Sequence, residues 1–182
     1  MSMQKWHELG PFTFFDVETT GFSPVNDRII EIAAVRVELD GTTSEWSTLV
    51  NPRREIPQKI TRITGIGSAM VNEAPTFSRI GNTFTDLARN STLIAHNARF
   101  DLAFLQESLS RCGLQLWQGK TMDSMTLAKQ TYSGLPSYSL QSLRAALQLE
   151  SAGDDAHRAL ADARLTVKLV AKIFSTLLER GN

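Results

Sequence analysis

Residues 12–17 read Phe-Thr-Phe-Phe-Asp-Val, an almost continuous apolar run of strand-favouring residues. Such a run is typical of a central strand that is covered on both faces of a sheet. Residues 28–39 (RIIEIAAVRVEL) predict a second strand, and Asp40-Gly41 predicts a hairpin turn that leads into a third strand over residues 44–50. We therefore expect the chain to open with a three-stranded antiparallel meander.

The rest of the chain alternates helical patterns with short apolar strands. Strands are predicted at residues 92–95 and 120–122. Helices are predicted at residues 58–63, 75–89, 98–111, 124–131, 139–147 and 158–178. Three strands followed by alternating helices and short strands indicate an α/β fold, in which helices pack on one mixed sheet.

Length and composition restrict the class of protein. The 182 residues suit a single domain, which we place at residues 11–178 after a short leader at residues 1–10. Lys plus Arg and Asp plus Glu each number 19, which excludes a protein held on nucleic acid by bulk charge but leaves room for a local basic groove. The single Cys112 excludes an internal disulfide. Apolar runs fall far short of the roughly 20 residues of a membrane span, so we expect a soluble, cytoplasmic protein without a membrane partner.

Two carboxylates stand close together at the end of the first predicted strand. Asp16 and Glu18 are two residues apart, so their side chains point to the same face of the strand. Like charges repel unless a cation neutralises them, and hard oxygen ligands suit Mg²⁺ or Mn²⁺. The alternative is a pair of solvated charges at a strand end.

Two further groups of polar residues lie where predicted helices begin. His96, Asn97 and Asp101 follow a predicted strand and open a helix, a junction that commonly binds ligands in α/β folds. An acid in the first helical turn is also a common structural choice. His157 and Asp162 begin the last helix, where Asp162 lies in an apolar stripe and needs a partner or a metal. A surface histidine is the alternative for His157.

Taken together, these acids and this histidine resemble the DEDDh exonucleases, also called the DnaQ-like family, which includes the proofreading epsilon subunit of bacterial DNA polymerase III. The resemblance rests on DVETTGF at residues 16–22, HNARFD at residues 96–101 and HRALAD at residues 157–162. It extends over RIIEIAAV, ITGI and SLQSL, and so over nearly the whole chain. The spacing within HRALAD is similar to that of the histidine branch, whereas the tyrosine branch would have a tyrosine at the position of Arg158.

The resemblance implies a ribonuclease H-like fold, with a five-stranded mixed sheet flanked by helices. It also implies two divalent cations, Mg²⁺ or Mn²⁺, and a histidine that acts as general base. The catalytic residues so implied are the four metal-binding carboxylates and the histidine: Asp16, Glu18, Asp101, Asp162 and His157. Two such cations stabilise the attacking and the leaving oxygen of a phosphodiester, and a histidine with a pKa near 6.5 suits the proton transfer.

Further residues match positions at which the family contacts its substrate. They are Thr19, Phe22, Ile66, His96, Asn97 and Phe100. The threonine would read the terminal 3′-hydroxyl, the next two residues would lie near the terminal base, and the last three would line the cleft. Ordinary core packing is the alternative for Phe22, Ile66 and Phe100. Thr64 departs from the family, in which many members have histidine, and Asp123 is interpreted as a cap of the following helix.

The leading interpretation is a 3′–5′ exonuclease that releases nucleoside 5′-monophosphates from single-stranded DNA. Alternatives are an RNA-trimming, oligoribonuclease-type exonuclease and the proofreading subunit of a replicative DNA polymerase. A non-catalytic polymerase-associated subunit is disfavoured by the intact set of catalytic-type residues. The expected partner is the 3′ end of a single-stranded nucleic acid, with DNA favoured over RNA. DNA polymerase subunits are a second candidate partner. Because the chain ends at Asn182, soon after the last predicted helix, we keep a stand-alone nuclease or an isolated domain beside the proofreader.

Overall fold

Five β-strands form one mixed sheet in the computed structural model, which describes residues 5–150 and 158–180. The strands are β1 (Phe12–Thr19), β2 (Ile29–Val37), β3 (Thr43–Leu49), β4 (Thr92–Ala95) and β5 (Thr121–Asp123). Their spatial order is β3-β2-β1-β4-β5. β2 runs antiparallel to both β1 and β3, whereas β4 is parallel to β1 and to β5. The predicted antiparallel meander and mixed sheet are confirmed.

Seven α-helices accompany the sheet within the described residues. They are α1 (Gln58–Thr64), α2 (Ser68–Val71), α3 (Phe77–Leu87), α4 (Ala98–Arg111), α5 (Ser124–Thr131), α6 (Leu140–Ala146) and α7 (Ala159–Arg180). The sequence patterns predicted all of them except α2, which has four residues and is too short to show a helical period. None of these helices has the length and apolar character needed to cross a membrane.

β1 lies at the centre of the sheet and is buried on both faces, as its apolar run predicted. Phe15 points to one face, in a buried cluster with Phe84 of α3 and Phe104 of α4. Phe14 points to the opposite face, in a cluster with Val170 of α7. Successive strand residues alternate between faces, so α3 and α4 cover one side of β1 and α7 covers the other.

The same alternation sets the face on which the β1 carboxylates lie. Asp16 and Glu18 share the parity of Phe14 and therefore belong to the α7 face. The register between β1 and β2 shifts after Glu18, which pairs with Glu31, while the next residue, Thr19, pairs with Ile29. Such a bulge ends regular pairing and is common next to active sites. The two carboxylates thus stand where the central strand leaves the sheet.

A short 3-10 helix at Trp6–Leu9 packs against the domain. Trp6 stacks on Phe12 with ring centroids 6.0 Å apart, and Nδ1 of His7 is hydrogen-bonded with the carbonyl oxygen of Leu39 at 2.8 Å. The sequence suggested a leader that precedes the fold. Within the described part of that segment, Trp6 packs against the apolar cluster on the α7 face of the sheet.

Candidate active site

Three carboxylates from two separate elements converge at the end of β1. Asp16 and Glu18 come from β1, and Asp162 comes from the first turn of α7. One carboxylate oxygen of each lies within 4.8 Å of the others. This spacing suits a hard divalent cation, which holds its oxygen ligands at about 2.0–2.6 Å. The acidic cluster that the sequence predicted is therefore present and fits a metal ion.

Asp101 approaches the same strand from the other side. It lies in the first turn of α4 and is only 3% exposed. Its Oδ1 accepts a hydrogen bond of 3.1 Å from the backbone N–H of Val17, the residue between Asp16 and Glu18. Asp101 does not belong to the group of oxygens within 4.8 Å. It is fixed beside the other three carboxylates, against the backbone that carries two of them.

Burial and mutual repulsion raise the pKa values of these carboxyl groups. Loss of hydration, followed by repulsion from Asp162 and Glu31, raises the pKa of Glu18 to about 8. Burial also raises the pKa of Asp101 to about 8, in spite of its backbone hydrogen bond. Burial, then repulsion from Asp101 and Glu18, raises the pKa of Asp16 well above its usual range. A bound cation would favour the charged forms and so reverse this balance.

A half-buried ion pair joins β2 to the start of α7. Glu31 lies opposite Glu18 in the antiparallel ladder, and its side chain is 6% exposed. Arg158 donates to it at two points, from Nη2 to Oε1 at 2.7 Å and from Nε to Oε2 at 3.1 Å. Oε2 also accepts the backbone N–H of Ala159, the first residue of α7, at 3.0 Å. This contact fixes the start of the helix that carries Asp162.

The loop between β1 and β2 is held by its own polar groups. Thr19 is buried, and its hydroxyl donates to the carbonyl oxygen of Gly21 at 2.6 Å. The Asp27 carboxylate accepts the hydroxyl of Thr20 at 3.1 Å, and a Cβ at Gly21 would clash with that carboxylate. Phe22 stands out from this loop with 70% of its surface exposed. Core packing therefore does not account for Phe22, which stays a candidate for contact with a base.

The predicted substrate residues near the start of α4 differ in their exposure and in the hydrogen bonds they already make. His96 uses both ring nitrogens, with Ser124 Oγ at 2.9 Å and with the carbonyl oxygen of Tyr138 at 2.8 Å. Burial lowers its pKa. Substrate contact through its ring would have to break one of these hydrogen bonds. Asn97 is exposed, with a left-handed φ of 66°, and Phe100 is half-buried against the core on the α4 side.

Asp123 organises the start of two helices. Its Oδ1 accepts backbone N–H groups from Met125 at 3.1 Å and from Asn97 at 2.9 Å. Its Oδ2 accepts the hydroxyl of Thr126 at 2.8 Å. The predicted cap of the following helix, α5, is confirmed, and the same carboxylate also holds the start of α4.

Ile66 is a core residue, which corrects the expected contact with a terminal base. Its side chain is fully buried in a cluster with Ile30 and Ile60. The adjacent Thr64 is also engaged internally, since its hydroxyl donates to the Ile60 carbonyl and accepts the Ile66 N–H, both at 3.1 Å. A base cannot stack on a side chain that the core encloses. An apolar residue suits either role, so the sequence could not separate them.

His157 lies outside the described residues, so its role as general base stays a prediction. The structure adds three polar residues that the sequence patterns did not assign to the site. Two are the partners Glu31 and Arg158, and the third is Gln141, whose Nε2 donates to Asp162 Oδ1 at 3.4 Å. Their presence in the quoted motifs RIIEIAAV, HRALAD and SLQSL could have marked them as site residues. The sequence does not show the strand register and helix packing that bring these three motifs together.

Comparison with known proteins agrees with this geometry. A family model for exonucleases of the RNase T type matches residues 13–170. The chain belongs to this exonuclease family. The four acids and all five strands fall within the matched residues, apart from the first residue of β1. The exonuclease resemblance inferred from the motifs is confirmed, and the chain carries an exonuclease domain.

Several relatives of this exonuclease domain carry the name DNA polymerase III, as a subunit or as a PolC-type polymerase. The epsilon subunit of DNA polymerase III from Treponema pallidum is 37% identical over 172 residues, which cover 94% of this chain and 78% of that protein. A PolC-type DNA polymerase III from Caldanaerobacter subterraneus is 35% identical over 172 residues, or 94% of this chain. The chain spans 12% of the length of that polymerase and 11% of a second PolC-type relative from Clostridium perfringens.

Solved structures share the fold of the exonuclease domain. Exonuclease X in complex with 5′-overhanging duplex DNA matches with a TM-score of 0.73 at 30% identity, over 91% of this chain and 92% of that one. Exonuclease I matches with a TM-score of 0.78 at 23% identity, over 93% of this chain and 42% of that one. The expected five-stranded mixed sheet with flanking helices is confirmed.

Without divalent metal, the free energy of unfolding should fall as the pH rises from about 4.5 to about 8. The ordinary pKa of a Glu carboxyl is 4.5, and that of Glu18 in the fold is about 8. The folded state therefore favours the protonated form, and this contribution is complete below the lower value and lost as the pH rises through the upper one. A divalent cation competes with these protons. Thermal unfolding should show a larger rise in Tm on adding metal at about pH 8 than at about pH 5.5.

Two variants isolate the source of this pH dependence. Glu18→Gln should make this pH dependence shallower and reduce the metal-induced rise in Tm, while the contributions of Asp16 and Asp101, whose pKa values are also raised, should remain. Glu45→Gln should change neither, because the hydrogen bond from Arg164 holds the pKa of Glu45 below its ordinary value and outside this pH range. An unfolding free energy in EDTA that stays constant or increases over the range would contradict the prediction.

Glu31→Ala should lower the free energy of unfolding by about 2–3 kcal/mol, because it removes the largely buried carboxylate that accepts hydrogen bonds from Arg158 and from the Ala159 N–H. Arg158 is 41% exposed, so the loss should be smaller than for a fully buried pair. Denaturation in urea at about pH 5.5 is the measurement, since Glu18 is protonated there and relief of repulsion adds nothing. Glu45→Ala breaks the exposed pair with Arg164 and should cost less than about 1 kcal/mol. Equal losses in the two variants would contradict the prediction.

Proposed function

We propose that this chain is a metal-dependent 3′–5′ exonuclease that releases nucleoside 5′-monophosphates from single-stranded DNA. The observation that carries the proposal is the convergence of Asp16, Glu18 and Asp162, with Asp101 fixed beside them. Carboxylates this close together repel one another, so they bind cations favourably. The bound cations can then bind the negatively charged phosphodiester of a nucleic acid. The polarity is supported by the Bacillus subtilis protein named 3′-5′ exonuclease DinG, which is 36% identical over 170 residues, although the chain covers 18% of it.

The metal ions are proposed to be Mg²⁺ or Mn²⁺, since carboxylate oxygens are the ligands that these cations prefer. Asp16, Glu18 and Asp162 would hold them, with Asp101 completing the set. When bound, such cations offset the charge that gathers on the phosphate oxygens and lower the pKa of water. With such cations bound, the carboxylates would be ionised, because the positive charge would offset the burial and the repulsion that raise their pKa values.

His157 is proposed to take the proton from the attacking water, on the strength of the HRALAD motif. The water oxygen bonds to phosphorus, and the bond from phosphorus to the 3′-oxygen of the preceding nucleotide breaks. The terminal nucleotide leaves with its 5′-phosphate, and the departing 3′-oxygen of the shortened strand takes a proton from solvent water to become a free 3′-hydroxyl. The strand is then ready for another cycle at the same site.

The strand end is proposed to lie against the loop between β1 and β2. Thr19 ends β1 and Phe22 belongs to this loop, while Asn97 precedes α4 and Phe100 lies in its first turn. The internal hydrogen bonds of the loop keep it in place, so the exposed Phe22 ring offers a fixed apolar surface on which any base can stack. DNA is favoured because the exonuclease X structure that resembles this chain holds 5′-overhanging duplex DNA.

A second candidate is the same activity used for proofreading within a replicative polymerase. The similarity to the Treponema pallidum epsilon subunit, which this chain covers over 78% of its length, favours it. DNA polymerase subunits would then be partners. Copurification with a polymerase catalytic subunit would support this candidate, whereas degradation of free strands by the chain alone would suit either candidate.

A linear single strand with a free 3′-hydroxyl should be shortened stepwise in Mg²⁺ or Mn²⁺, and EDTA should abolish this. A circular single strand of equal length should resist, because it offers no 3′ end. A 3′-phosphate should slow the reaction strongly, because it adds charge where the hydroxyl is read. Labelled products resolved by gel electrophoresis give the measurement, with RNA of the same sequence in parallel. Prompt cutting of the circle would mean an endonuclease and would contradict the proposal.

His157→Ala should reduce turnover at pH 7 by about 10²- to 10⁴-fold, as expected for loss of a general base. The parent rate should rise with pH through the titration of a histidine, and the variant should lack that limb. Metal binding, measured as the rise in Tm on adding Mn²⁺, should be retained. His7→Ala is the matched control. His7 belongs to the N-terminal segment and is hydrogen-bonded with the carbonyl oxygen of Leu39, so this variant should keep parental turnover. Parental turnover in His157→Ala would show that His157 is not the base.

A further inference from the structure

Three arginines donate hydrogen bonds to carbonyl oxygens of the loop between β1 and β2, one from the end of the loop and two from other segments. Arg28 Nη1 donates to the carbonyl oxygen of Asn26 at 3.1 Å, and Arg54 Nη1 donates to the same oxygen at 2.5 Å. Arg111 Nη2 donates to the carbonyl oxygen of Val25 at 3.0 Å. These contacts use one terminal nitrogen of each guanidinium, which has several N–H donors. The groups are close enough that burial, then repulsion from Arg111 and Arg54, lowers the pKa of Arg28.

A cavity of about 400 Å³ opens beside these arginines. It lies between the start of β2, the segment that follows β3, the start of α3 and the end of α4. Its charged and hydroxyl-bearing lining comprises Arg28, Arg53, Arg111, Thr76, Ser78 and Ser108. Guanidinium and hydroxyl donors in one cavity suit the oxygens of a phosphate.

Arg53 adds a strained backbone to this lining. Its φ is 54°, a left-handed value that costs free energy for a residue with a side chain. Asn51 enforces the conformation, since its Oδ1 accepts the Arg53 N–H at 2.9 Å and its Nδ2 donates to the Asn72 carbonyl at 2.9 Å. Strain of this kind is concentrated at functional sites. The exposed Arg53 thus lines the cavity with its backbone fixed by Asn51.

Positive charge dominates this part of the described surface. Asp27 and Glu107 accompany the arginines, and both are engaged: Asp27 by the loop and Glu107 by Arg111. The chain as a whole has no net charge, so the concentration of arginines here is local. Arginine is the side chain best suited to hold phosphate, because its planar donors match the geometry of the oxygens.

Two elements, the loop between β1 and β2 and helix α4, connect the cavity to the carboxylate cluster. The loop that follows Glu18 ends at Arg28, whose backbone N–H donates to the Thr20 hydroxyl at 3.0 Å. Helix α4 carries Asp101 in its first turn and Arg111 in its last. At 1.5 Å per residue these two positions are about 15 Å apart. A phosphate in the cavity would thus lie several nucleotides from a phosphodiester at the carboxylates.

We propose that this arginine-lined cavity binds backbone phosphates of the cleaved strand, several nucleotides on the 5′ side of the scissile bond. The inference rests on the proposed exonuclease function and adds to it a second, sequence-independent contact with the substrate. Such a contact lets a chain of zero net charge hold nucleic acid through one local basic surface. It also predicts that affinity increases with strand length until the strand reaches the cavity.

Arg53→Gly tests the cavity without straining the fold, since glycine accepts the left-handed backbone. Fluorescence anisotropy in EDTA, which prevents hydrolysis, measures binding of a dT strand of about 12 nucleotides at several NaCl concentrations. We expect the Kd to rise about tenfold. The slope of log Kd against log salt should fall by about 0.7, as for loss of one phosphate contact to a single strand. Arg53→Lys keeps the charge and should retain most of the slope.

Arg89→Ala is the matched control, because it also removes one positive charge but at an exposed pair with Asp86. It should leave the Kd and the slope at parental values. With metal present, Arg53→Gly should raise the KM for the long strand by a factor similar to the rise in Kd. Its KM for a trinucleotide, which is too short to reach the cavity, should stay at the parental value. This readout separates the cavity from the carboxylate site.

Unchanged Kd and salt slope in Arg53→Gly would overturn the inference and leave the proposed exonuclease intact. Weaker binding of a blunt duplex without any effect on the single strand would also overturn it, because the complementary strand would then be the occupant. Failure of the parent enzyme to degrade any strand in Mg²⁺ or Mn²⁺ would count against the proposed function instead. Binding in EDTA would still report on the cavity in that case.

Discussion

Repulsion among carboxylates at the end of the buried strand β1 is the constraint on which the rest of the structure depends. Asp16 and Glu18 lie on the face that α7 covers, and burial raises the pKa values of both. Asp162 adds a third carboxylate from α7, and Asp101 is fixed by the backbone of β1 itself. Each acid is thus held by an element that the core already fixes. The fold loses stability at neutral pH for this arrangement and gains a preformed metal site.

The surroundings of the carboxylates bring positive charge close without placing it among the ligands. Glu31 would add a further negative charge beside Glu18, but its oxygens are committed to Arg158 and to the first N–H of α7. On the other side of the loop, the arginines turn toward the α3 and α4 face and hold loop carbonyls. A nucleic acid strand approaching the exonuclease would meet bound cations at one end of the loop and guanidinium groups at the other. The proposal that the cavity binds backbone phosphates depends on this distance between the two positive regions.

Local pattern predicted the elements well because each prediction depended on neighbours in sequence. The apolar run of β1, the hairpin at Asp40-Gly41 and the cap at Asp123 are examples of such local signals. Ile66 was misassigned because an apolar side chain suits both a base contact and a core, and only the packing around it decides. Glu31 was not given a role, since its importance comes from facing Glu18 across a ladder whose register includes a bulge.

The sequence by itself determined the α/β pattern, the order of the acidic residues and, through its motifs, the exonuclease family. These features are encoded in spacing: two residues on a strand share a face, and a strand followed by a helix presents its junction at the edge of a sheet. The tertiary structure alone decided which distant charges meet. Arg158 reaches Glu31 across more than half of the chain, and Arg111 reaches the loop that follows Glu18. Such contacts depend on how the helices pack against the sheet in three dimensions. A one-residue change in the pairing of β1 with β2 would turn Glu31 away from Arg158.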